Sequence, residues 1–257
     1  MLRPSTLQET FKRLGYTWFD DQPNLIGIRS TLNIPNVFND IFCIVWKQPA
    51  MPTLTSIKSR QIWLNSWGFQ GKDGKSLKED GIDGENTAYA QEAYEKMKGF
   101  FVMRSSSITT DPGTYYLNHP LNTLGTAVLK TGQYLKSHAL GFHKQRQDHP
   151  ALVQVGNLTV YRDTDLDEIA ETMGMKEYTG TGFGINIHRS NLDGTTQNIN
   201  KWSAGCQVFQ RYDDHAFVLR ICENFRTHTG NRFTYTLIDE ISLEDTDNVC
   251  PTCKRPL

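Results

Sequence analysis

The chain has 257 residues, enough for one elaborated domain or a catalytic domain with a small module. Hydrophobic residues make up 38% and charged residues 21%, with 27 Lys+Arg against 28 Asp+Glu and a net charge of −1. That balance supports a sizeable core, excludes wholesale disorder, and leaves neither a basic face for nucleic acid nor an acidic tail.

Aromatic residues, at 11%, favour β-rich structure and concave surfaces. No run of 18 apolar residues is present, so membrane insertion is not expected. The start, MLRPSTLQETFKRLGY, lacks an apolar secretory core, and the chain is expected to be made in the cytoplasm without a signal peptide. The five cysteines (Cys43, Cys206, Cys222, Cys250 and Cys253) are odd in number and unevenly spaced, which argues against a disulfide framework.

In chain order, Ser5 and Gln8 read as a capping box for a first helix carrying Leu7, Phe11 and Leu14 and ended by Gly15. Two strand-like runs follow, Asn24 to Ile28 and Ile41 to Trp46, then a Pro-containing linker from Gln48 to Thr55. Residues 1–55 are expected to belong to the same unit as the later strands. From Ser56 to Lys98 the pattern is helix, loop, helix. Beyond Gly99, strands are expected at Phe100 to Met103, Thr114 to Leu117, Ala151 to Val155, Leu158 to Tyr161, Gly184 to Ile187 and Phe233 to Ile238. A helix capped by Asp213 or Asp214 carries Phe217, Val218, Ile221, Cys222 and Phe225 on its apolar face.

The most informative stretch runs from Gly182 to His188 and resumes at Trp202-Ser203-Ala204-Gly205-Cys206-Gln207. If the two apolar segments lie side by side, His188 and Cys206 become neighbours. A thiolate is the reactive form of cysteine, and an adjacent imidazole can take the thiol proton. The pair is therefore expected as thiolate and imidazolium. Gly205 would let the amides of Gly205 and Cys206 face a developing oxyanion, and Ser203 would hydrogen-bond within the site. The competing reading is a small core cysteine beside a satisfied histidine.

The spacing of His188, fourteen intervening residues, then Ser203-x-Gly205-Cys206, resembles the L,D-transpeptidase catalytic domain, as does the turn Thr109-Thr110-Asp111-Pro112-Gly113-Thr114-Tyr115. The resemblance covers roughly residues 100–238. It implies a β-rich α+β fold with a sandwich or barrel core and a thioester formed with a peptidoglycan stem peptide. It assigns Cys206 as nucleophile, His188 as its base, and Arg189 and Gln207 as substrate-facing positions. Ala204 departs from the family, which carries a second histidine there. Residues 56–98 resemble the small three-helix peptidoglycan-binding module, through Gln61, Leu64, Asn65, Gly68, Asp80, Gly81, Gly84, Thr87, Ala90 and Tyr94. That likeness implies wall binding through Asp80, Gly81, Gly84, Thr87 and Tyr94. Gly81 and Gly84 are expected at positive φ in a tight turn capped by Asp80.

The reading is thus a wall-directed cysteine peptidase or transpeptidase, of the kind a phage lysin or virion would carry, with bacterial peptidoglycan as partner and no cofactor. The alternative is a virion or surface protein that binds wall without chemistry. Three weaker signals remain. Cys250-Pro251-Thr252-Cys253, in the tail from residue 242, is half a zinc site. His138, His143 and His149 cluster in a polar stretch without a recognised metal spacing, though a zinc hydrolase built on His138 and His143 is conceivable. Asp163, Asp165 and Asp167 alternate as in a calcium loop, but Glu168 stands where such a loop needs glycine.

Overall fold

The computed structural model describes residues 2–244; Cys250 and Cys253 lie outside them. The first helix, α1 (Pro4–Leu14), begins with Pro4 rather than a Ser5 cap. Proline needs no amide partner in the first turn and brings a preset φ. Gly15 ends the helix at φ 70°, and Tyr16 N–H closes on Phe11 O at 2.8 Å. Strands β1 (Asn24–Arg29) and β2 (Asp40–Lys47) pair antiparallel. Both faces of β1 and β2 are buried. Leu25, Phe42 and Ile44 face the main core, whereas Ile26, Ile28, Cys43 and Val45 pack against Leu7 and Phe11 of α1. Two-sided burial explains why these segments are continuous apolar runs instead of alternating ones.

β2 and β3 (Phe101–Thr109) form a hairpin in register from Lys47↔Phe101 to Asp40↔Ile108. Residues 49–98 are an insertion at its tip, closed by Gln48 N–H on Phe100 O and Gly99 N–H on Gln48 O at 2.9 and 2.8 Å. The insertion contains α2 (Ile57–Ser66) and α3 (Glu85–Met97), two helices rather than three. The loop between them is held by Asn65, whose side-chain amide bonds both the N–H and the carbonyl of Leu77. Its apolar face merges with the main core: Trp67 meets Phe225 edge-on at 5.3 Å, and Asn224 donates to Ser66 O.

After β3 the chain forms the short helix α4 (Thr114–Asn118), where a strand was expected. Gly113 packs so tightly on the Asn200 backbone that no side chain fits there. Then come β4 (Thr126–Leu129), β5 (Gly132–Phe142), β6 (Pro150–Gln154), β7 (Leu158–Asp163), β8 (Glu177–Gly180), β9 (Ile187–Arg189), β10 (Gln207–Phe209), α5 (Tyr212–Thr229) and β11 (Phe233–Asp239). Asp213 and Asp214 sit in the first turn of α5 and do not cap it through their side chains; they favour the positive end of the helix dipole instead.

Eight strands close a barrel in the order β1-β11-β5-β6-β9-β10-β3-β2, parallel at β1–β11 and β9–β10 and antiparallel elsewhere. Its interior is filled by Leu25, Phe42, Ile108, Leu152, Phe209 and Tyr235, among others. A second sheet, β4-β7-β8, stands beside it. The chain is therefore β-rich α+β with a closed eight-stranded barrel. Among the described residues no helix is long and apolar enough to cross a membrane.

Candidate active site

The parallel pair β9–β10 sets the site. Val208 lies opposite His188 and Gln207 opposite Ile187, so Cys206, just before β10, is brought beside the residues leading into β9. The thiol accepts from Asn186 N–H and donates to Gly184 O, both at 3.4 Å. Gly205, at φ 116°, makes the turn that delivers it; a side chain there would overlap Ala127 O. Ser203 is fully buried and braces the same turn. Its hydroxyl donates to Cys206 O at 2.8 Å and accepts from Gly205 N–H at 3.2 Å. The Gly205 amide is thereby spent, leaving the Cys206 amide as the remaining oxyanion donor of the expected pair.

His188 is 1% exposed. Its Nδ1 lies 2.7 Å from Arg189 O, and a carbonyl can only accept, so Nδ1 carries the proton. Nε2 is then a bare lone pair, and it has no hydrogen-bond partner among the described residues. His143, Cys206 and His188 offer ligand atoms that all lie within 4.8 Å of one another. His143 stacks on His188 at 4.1 Å, His149 meets it edge-on at 5.2 Å, and Asn186 Nδ2 donates to His143 Nδ1 at 3.0 Å. His143 and His149 come from the turn between β5 and β6, closed by His143 N–H on His149 O.

Burial controls the protonation of this cluster. It pushes the Cys206 thiol up to about 11, against a lowering by Asn186 N–H and Lys144. It pushes the His188 imidazole well below its ordinary value, helped by neighbouring imidazoles. His143 falls to about 4, first through burial and then through His149 and nearby cations. Burial thus works against the expected thiolate–imidazolium pair, raising the thiol and lowering the imidazole, and the hydrogen-bond partner of the imidazole is a carbonyl rather than a carboxylate.

Cys206 opens into a cleft of about 440 Å³. Its walls include Tyr116 after β3, Arg162 of β7, Phe183, His143, Lys144 and Trp202, and Ala204 lies at the rim. His188 lies behind this surface. Arg189 is 6% exposed and bonds the Ser190 and Asp148 carbonyls, so it braces the β5–β6 turn and does not line the cleft. Gln207 is fully buried in the barrel and accepts from Tyr235 OH at 2.8 Å. His138 is likewise interior, between Ser137 Oγ and Ile185 O, apart from His143. A zinc pair of His138 and His143 is not formed.

The motif in the insertion is turned inward. Gln61 is 1% exposed; its amide nitrogen reaches Asp80, Ile82 O and Thr87, and its oxygen accepts from Gly81 N–H. Asp80 caps the turn at Ile82 N–H, Gly81 takes φ 79°, and Gly84 takes φ −89° as the residue before α3 rather than the expected positive φ. Thr87 and Tyr94 are buried, and Tyr94 OH accepts from Met51 N–H at 2.6 Å. These residues hold the insertion together. Exposed Tyr89 and Met97 instead edge a groove of about 570 Å³ whose lining also includes the buried Trp67 and Phe69.

No protein-family model, curated protein or solved structure matches the chain.

Proposed function

We propose that the protein is a cysteine-nucleophile peptidase or acyltransferase of L,D-transpeptidase type that acts on peptidoglycan stem peptides at the bacterial cell wall. The observation that carries this reading is a buried base with its lone pair free: Arg189 O fixes His188 Nδ1 as donor and leaves Nε2 bare, and His188 and Cys206 offer ligand atoms within 4.8 Å of each other, Cys206 lining the cleft. Substrate enters from the Tyr116, Arg162 and Trp202 side. The Cys206 Sγ–H proton passes to His188 Nε2 as Sγ bonds the acyl carbon; the C–N bond breaks and the proton goes to the leaving amine, with His143 lining the way to the cleft. Water or a second amine then opens the thioester and restores the thiol. Because the pair is neutral at rest, proton transfer accompanies attack rather than preceding it.

Wall binding is assigned to the aromatic groove of the insertion, with Tyr89 at its exposed edge. Tyr89→Ala should weaken retention on purified sacculi. The main test is mass spectrometry of muropeptides incubated with the protein. Cys206→Ser and His188→Ala should each abolish turnover, and the double variant should be little worse than either. Cys206→Ser with near wild-type products would overturn the nucleophile assignment, and absence of products from the wild-type protein would favour a wall-binding protein without chemistry.

A second reading has its own observation. His143, His188 and Cys206 are two imidazoles and a thiol converging within 4.8 Å, the donor set of a zinc site with an open position. Stoichiometric zinc in the purified protein, with Cys206 shielded from alkylation until chelation, would favour it.

A further inference from the structure

Among the described residues, the acidic stretch after β7 is the other place where metal-binding side chains gather. Asp165, Asp167 and Glu171 are exposed, and their carboxylate oxygens all lie within 4.8 Å of one another. Oxygens on one calcium ion, each 2.3–2.6 Å from it, stand no more than about 5 Å apart, so this spread suits a shared ion. An independent observation comes from Asp163, the last residue of β7. It is 1% exposed, its Oδ2 accepts from Glu171 N–H at 3.0 Å, and its Oδ1 is buried without a hydrogen-bond partner among the described residues. A buried carboxylate oxygen without a donor is unfavourable unless something positive completes it. No lysine or arginine forms an ion pair with any of these four carboxylates among the described residues.

We propose that Asp163, Asp165, Asp167 and Glu171 bind one calcium ion, which locks the loop forming the outer support of the Cys206 cleft. The ligands are all hard oxygens in an irregular, partly exposed loop, which suits calcium's flexible coordination better than the strict octahedron of magnesium. Glycine is missing at the sixth position of the stretch, but the chain turns two residues earlier than that, with Leu166 at φ 62°. The loop is tied at its start to cleft residues and at its end to α4 and β4, which carry cleft residues. Arg162, which lines the cleft, donates to Gly125 O at 3.0 Å, and Gly125 packs against the Asp163 backbone. Ala170 O accepts from Asn33, and Ala170 packs with Leu117 of α4 and Val128 of β4. Calcium would hold this wall in place without touching the reacting atoms.

The test uses the full chain after EDTA treatment. Titration with calcium chloride should give one site with a dissociation constant of roughly 10⁻⁵–10⁻³ M. At 10 mM calcium the melting temperature should rise by about 5 °C. The exposed double variant Asp165→Asn/Asp167→Asn should fold, lose the binding heat and lose the temperature shift. Hydrogen exchange should slow at residues 163–171 and around Gly125 only in wild type with calcium. Absence of binding in wild type, an equal shift in the double variant, or an equal response to magnesium would each overturn the assignment. None of these measurements depends on the thiol chemistry.

Discussion

The state of Cys206 at rest can be tested by alkylation. With the thiol pushed up to about 11, the thiolate fraction at pH 7 is roughly 10⁻⁴, against about 3 in 100 for a free cysteine near 8.5. A more basic thiolate is more nucleophilic, which over this difference returns about a factor of ten. Cys206 should therefore react with iodoacetamide roughly 30-fold more slowly than a free thiol at pH 7. The rate should climb about tenfold per pH unit to pH 10, with no plateau in the neutral range. The readout is site-resolved mass spectrometry, with Cys43, buried behind α1 and pushed up to about 12, as the inert internal reference.

The role of His188 is what makes the experiment discriminating. The thiol donates to Gly184 O at rest, so His188→Ala should leave the alkylation profile almost unchanged while abolishing turnover. An ion pair predicts the opposite: a flat, fast neutral profile in wild type that collapses in His188→Ala. A plateau between pH 5 and 8 would refute the neutral-pair argument and, with it, the claim that burial outweighs the mutual attraction of the two charges.

The remaining predictions concern the scaffold. Gly205→Ala should lower stability by at least about 3 kcal/mol or prevent folding, since positive φ and overlap with Ala127 O act together; urea unfolding measures it. Gln61→Ala should remove about 2–3 kcal/mol of local stability by unpairing Gly81 N–H and Thr87, seen as faster hydrogen exchange at residues 80–87 with the barrel unaffected. Acid should destabilise the fold. His138 is held near about 4 and His215 near about 3 by burial, below the unfolded value of 6.5, so protonation favours the unfolded chain as pH falls below 6.5. From pH 7 to 5 each loses about 2 kcal/mol, whereas Asp111, raised to about 6, gains only about 1, and melting in EDTA should drop accordingly.

Legibility in the sequence divided along the range of the interactions. Local patterns sufficed for α1, β1, β2, α5 and β11, where apolar spacing and Gly15 speak for themselves. The adjacency of His188 and Cys206 was also legible, because a strand, a turn-rich excursion and a second strand are an arrangement that pairs. β5 was missed: Gly132 to Phe142 mixes lysine, serine and glycine with exposed Leu135, so its outer face hides the period. Thr114 to Leu117 reads as a strand but is a helical turn, since Gly113 pressed on Asn200 redirects the chain. In the insertion, motif spacing was legible and motif purpose was not. Only the Gln61 network reveals that Asp80 and Thr87 serve the turn.

The protonation state of the site could not be inferred from composition at all. A cysteine beside a histidine suggests an ion pair because, in water or beside a carboxylate, imidazolium is inexpensive to make. Here the imidazole is backed by two further imidazoles, His143 and His149, and its one firm partner is a carbonyl. Each of those rings disfavours a positive charge on the next, and Lys144 at the cleft lowers the thiol without supporting an imidazolium. Both readings of the site follow from this one imbalance. A substrate that lends its own charge or displaces water can draw the proton across during acyl transfer, and a zinc ion would remove it outright. What distinguishes them is whether Cys206 is still a thiol when the cleft is empty, which the alkylation profile reads directly.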